Sequence, residues 1–155
     1  MHSASLSPAY TIEEVVENFQ ALLEQMDFKQ ELMLIGVSRV QFLLRRKLKT
    51  EWLTLVIALW RLALERSFPY DGQIIFDTFL ERRTAGLSRK RAARFTERVQ
   101  TYVKSLQSHG DNDFMPPGEL LLRLIKPSAA AVPALRLRVA LHIRSLYTLI
   151  FDRLI

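Results

Sequence analysis

The spacing of apolar residues divides the chain into helices. After Thr11, the residues Ile12, Val15, Val16, Phe19, Leu22, Leu23 and Met26 recur at intervals of three and four, which predicts an amphipathic helix with an acidic outer face. Thr11 and Glu14 form a capping box ahead of it, and Glu13, Glu14 and Glu17 suit the positive end of its dipole. A second helix is expected from about Phe28 to Lys49. Its apolar residues point in several directions, and the run R-R-K-L-K supplies cations to its C-terminus. Thr50 would cap a third helix, from about Glu51 to Arg66. Between Trp52 and Leu64 only Thr54 and Arg61 are polar. A helix that is apolar nearly all round is a buried one, so this segment is expected at the centre of the molecule.

S-F-P-Y-D-G at 67–72 reads as a turn, with Phe68 and Tyr70 flanking Pro69 as partly exposed aromatics suited to anchoring a contact. A helix from about Gln73 to Arg83 follows, with Gly86 as its left-handed closing residue. Ser88 should cap a long helix reaching about Ser108, with Ala92, Phe95, Val99, Tyr102, Val103 and Leu106 as a regular apolar stripe. Residues 109–118 read as the longest loop. A short helix, E-L-L-L-R-L-I, ends before Pro127, and a last one starts near Ser128 or at Pro133 and continues to about Leu154. The fold class is therefore all-α: a single compact domain over 11–155, six to seven helices around the apolar helix at about 51–66, behind a flexible leader at 1–10.

Composition supports this pattern. A chain of 155 residues corresponds to one domain, and a hydrophobic content of 49% with only five glycines favours helices. The apolar surplus suggests that some of it is buried between subunits, in a homodimer. With no cysteine, disulfides, thiolate chemistry and cysteine-ligated zinc are excluded. No apolar run approaches the roughly 20 residues of a membrane span, and the N-terminus lacks the charged and apolar regions of a secretory signal, so a soluble, cytoplasmic protein is expected.

Charge changes the picture most. The net charge is +6, and it is uneven: residues 81–155 carry 14 Lys/Arg against 6 Asp/Glu, whereas residues 1–80 carry 8 against 10. Seven of the 22 cations lie in the stretch 82–98, opposed there only by Glu97. Arg82 and Arg83 suit a helix C-terminus. Arg89, Lys90 and Arg91 in the first turn of the next helix do not, at a cost of roughly 0.3–1 kcal/mol each. On a helical wheel Arg91, Arg94 and Arg98 form a stripe beside the apolar face, where they would line a groove between helices. Together with the Ser88 hydroxyl and the free N–H groups of a helix N-terminus, these cations point to an anion. Three readings fit. An interaction protein would hold an acidic protein surface; a nucleic-acid binder would contact phosphates without reading sequence; a pocket or helical enzyme would take an anionic ligand such as a phosphorylated metabolite or lipid headgroup. The plain alternative is a solvated basic face paired with the acidic first helix.

T-A-G-L-S-R-K-R-A-A-R-F resembles the turn of a helix-turn-helix, which implies a recognition helix after Ser88. It departs from that pattern in having Arg82 four residues before the glycine and in the length of the helix that follows. His109, Asp111, Asn112 and Asp113 have metal-like composition but lack the glycine and glutamate of a calcium loop, and turn chemistry accounts for them. His142 is expected to be packed or half-exposed on the last helix. No hydrolase, zinc-protease or nucleotide-binding motif occurs, so catalytic residues, metal and cofactor are all unassigned and enzyme activity is the least supported class.

Overall fold

Seven α-helices and no strand occur among the described residues, which are 10–108, 113–125 and 132–155 in this computed structural model. They are α1 (Ile12–Gln25), α2 (Lys29–Ile35), α3 (Phe42–Ser67), α4 (Gly72–Thr84), α5 (Arg89–Gln107), α6 (Met115–Leu122) and α7 (Val132–Asp152). Most of the expected leader, and His109, Asp111 and Asn112 of the expected loop, lie outside the described residues.

α3 is the hub. It packs against α2, α4, α5, α6 and α7, and its residues from Leu55 to Trp60 are all buried. This matches its nearly uniform apolar character and bears out a central apolar helix. Trp60 joins α3 to two neighbours: the ring of Phe19 on α1 stacks on it at 4.1 Å, and Phe79 on α4 meets it edge-on at 5.1 Å. Thr11 caps α1 as expected, its hydroxyl accepting from the Glu14 N–H at 3.1 Å.

The boundaries before α3 differ from expectation. The helix expected over 28–49 stops at Ile35, and Thr50 caps nothing, because α3 begins at Phe42 and runs through it. Gly36 is the reason. It adopts φ +84°, and the N–H groups of Gly36 and Val37 reach back to the carbonyls of Met33 and Leu32, closing α2. The Thr50 hydroxyl instead donates to the Arg46 carbonyl one turn back, at 3.1 Å. Gly86 is not in the left-handed region, where it was expected. α6 starts at Met115, ahead of the expected position, since Pro116 and Pro117 suit a first turn and the Asp113 carboxylate accepts from the Met115 N–H at 3.1 Å. The lack of a side chain at Gly118 lets α6 lie close on α7, where an added Cβ would stand 3.2 Å from Val139.

Candidate functional site

Ser88 caps α5 as its sequence position suggests, its hydroxyl accepting from the Arg91 N–H at 3.2 Å. With the helix phase set this way, Arg91, Arg94 and Arg98 face α3 along one side of α5. They line a groove of about 580 Å³ between α5 and the N-terminal half of α3. α3 contributes Lys47, Thr50, Glu51 and Thr54; Leu87, Phe95 and Leu124 make the apolar part of the lining. Four cations thus face one carboxylate.

That carboxylate is fully engaged. Glu51 is buried, and the Tyr102 hydroxyl donates to it at 2.7 Å. The Arg98 guanidinium donates to both of its oxygens, the Nε–H at 3.4 Å, and lies over the Tyr102 ring at 5.4 Å. Burial raises the Tyr102 pKa well above the usual phenol range, and the Glu51 charge adds to the rise. The hydrogen bonds that Arg98 donates to Glu51 likewise raise the pKa of its guanidinium. Arg98 is therefore anchored in the groove wall, whereas Lys47, Arg91 and Arg94 form no ion pair among the described residues.

The remaining cations of the 82–98 stretch disperse. Arg82 pairs with Glu13, which ties α4 to the acidic helix α1. Arg83 lines a separate hollow of about 350 Å³ that also holds Lys49, Leu23 and Phe28. Arg89 and Lys90 are exposed and lie outside the groove lining. Of the two aromatics near Pro69, Phe68 is buried rather than partly exposed, because its N–H and carbonyl stitch the end of α3 to the start of α4 and its ring turns inward. Tyr70 is exposed. Lys47 was not expected at the site, nor was Glu51. Both hide in the sequence behind the misplaced boundary near Thr50; the signal for them was Gly36, the stop that makes 42–67 one helix.

A second buried polar contact also escaped the sequence. His142 Nε2 on α7 lies 2.5 Å from the Glu31 carboxylate on α2, beneath the edge of Trp52. It is packed, the first of the two states expected for His142, and it joins two helices. No group of three His, Cys, Asp or Glu side chains suited to a metal ion occurs among the described residues, and no helix among them is long and apolar enough to cross a membrane.

The fold and the groove define a small all-α protein with a basic, partly apolar cleft. No family model, no curated protein and no solved structure matches the chain.

Proposed function

We propose that this is a non-enzymatic interaction protein whose α3–α5 groove receives an acidic segment of a partner protein. One observation carries the reading: the unpaired cations Lys47, Arg91 and Arg94 share a single groove with Leu87, Phe95 and Leu124. An acidic peptide bearing an apolar anchor would satisfy both parts, placing carboxylates on the guanidinium groups and an aliphatic or aromatic side chain on the apolar lining. A nucleic-acid backbone is the alternative occupant, and it would leave Leu87 and Leu124 uncovered. Glu51 keeps Arg98 in place, so the groove is organised before a partner arrives, which lowers the ordering cost of binding.

The test is a fluorescence titration with two probes, a labelled Glu-rich peptide containing one Phe and a labelled single-stranded RNA. The peptide is expected to bind one-to-one, and Arg91→Glu with Arg94→Glu to weaken it at least tenfold with little change in Tm. Binding of RNA alone, with an affinity that collapses as salt rises, would replace the proposal with the nucleic-acid alternative. Peptide affinity unchanged in the double variant would remove the groove from the account.

A further inference from the structure

A different surface carries a second inference, independent of the groove's occupant. From Leu32 to Thr50 the chain contains five cations, Arg39, Arg45, Arg46, Lys47 and Lys49, and no carboxylate. None of the five forms an ion pair among the described residues. The same stretch also holds most of the strongly exposed large apolar side chains among the described residues. Of the five large apolar side chains described as three-quarters exposed or more, four lie between residues 33 and 43: Met33 at 80%, Val40 at 79%, Phe42 at 75% and Leu43 at 83%. Met33 lies near the end of α2, Val40 in the turn before α3, and Phe42 and Leu43 on the first residues of α3, all outside the groove lining. Scattered exposed apolar residues are ordinary; four within eleven residues, interspersed with and followed by exposed cations that form no ion pair, are not.

Charge and shape together select the occupant. A second copy of the chain, docked symmetrically through this tip, would bring the exposed cations Arg39, Arg46 and Lys49 against the same three cations of its partner. A nucleic acid would neutralise the cations but leave Met33, Val40 and Leu43 in water, since aliphatic side chains offer no stacking surface. An anionic lipid interface takes both components: headgroups hold the cations while the apolar tips enter the acyl boundary. We propose that the α2–α3 tip docks the protein on an anionic membrane surface. Val40, Phe42 and Leu43 form the inserting wedge, and Arg39, Arg46 and Lys49 are exposed cations of the collar around it. The protein would lie on the bilayer rather than span it.

Sedimentation of the full chain with lipid vesicles tests this. The protein should pellet with phosphatidylcholine vesicles containing about one-third phosphatidylserine, release as salt rises, and stay in solution with phosphatidylcholine alone. The combined change Val40→Ser, Phe42→Ser, Leu43→Ser removes only exposed side chains, so helical circular dichroism should persist while partitioning falls about tenfold or more. Arg39→Gln with Arg46→Gln should act in the same direction, by roughly fivefold per cation. In a Phe42→Trp variant, fluorescence should be quenched by brominated acyl chains beyond any quenching of the buried Trp52 and Trp60 in the parent. The groove variant Arg91→Glu with Arg94→Glu should leave that quenching in place, so the two surfaces are tested separately. The proposal is overturned if the protein ignores anionic vesicles, if the triple variant binds them as well as the parent, or if that variant instead dissolves a dimer seen by sedimentation velocity.

Discussion

Gly72 sits where α4 turns back along α3, and a Cβ placed there would meet the Leu64 carbonyl oxygen at 2.9 Å. Helix propensity alone favours alanine by about 1 kcal/mol, yet the obstacle is backbone and cannot swing aside. Gly72→Ala is therefore expected to destabilise the protein by about 1–3 kcal/mol in urea denaturation, and a stabilised variant would show that the α3–α4 approach is looser than described. Tyr102 supports a second expectation. Burial, reinforced by Glu51, raises its pKa above the ordinary phenol value of about 10, so the folded protein holds this proton more tightly than the unfolded chain does. Its contribution is complete below pH 10 and is lost as pH climbs from there toward the raised folded value. Thermal melts from pH 8 upward should show Tm falling beyond about pH 10, and falling less steeply in Tyr102→Phe. Equal slopes in the two proteins would place the alkaline loss elsewhere. Neither residue announces its role in the sequence: Gly72 reads as turn punctuation and Tyr102 as one more member of an apolar stripe.

At the scale of elements, sequence periodicity located α1 and α5 well because each has one apolar face and a side-chain cap, Thr11 and Ser88. It failed over 28–50, where apolar residues face several directions and cations accumulate. There the end of α2 depends on one backbone position, the left-handed Gly36, and reading past it merged α2 with the start of α3. That error removed Lys47 from view as a groove residue, since a cation at an apparent helix C-terminus needs no further explanation. α1 makes its main contact with α4 and reaches the hub through Phe19, which stacks on Trp60 and meets Phe79 edge-on at 5.2 Å. Phe19→Ala should cost about 3–5 kcal/mol, measured by chemical denaturation. A loss below about 1 kcal/mol would mean that α1 is held mainly by its surface pair, Glu13 with Arg82.

For the molecule as a whole, α3 packs along five helices and meets the sixth, α1, through the Phe19–Trp60 stack, so its burial couples them to one another. A single cooperative transition is expected: helical and near-ultraviolet circular dichroism should melt together, and calorimetry should show one peak. Two resolved transitions would mean that α1 and α4, or α6 and α7, unfold as a separate unit. The groove and the cluster of exposed apolar side chains also exist only at this scale. The sequence by itself determined the all-α class, the central helix and the Ser88-capped basic helix, because apolar period, capping residues and charge act over a few neighbouring residues. It also placed Arg91, Arg94 and Arg98 on one stripe, since their order on the wheel follows from helix geometry alone. Only the tertiary structure decided which cations meet. It sent Arg82 to Glu13, Arg83 to a second hollow and Arg98 to Glu51, and it set Lys47, more than forty residues away in sequence, across from Arg91 and Arg94. The physical reason is that a groove, or a cluster of exposed apolar side chains, is a property of how helices cross and where they end. Those quantities depend on packing between distant segments and on single backbone positions such as Gly36, which local periodicity does not contain.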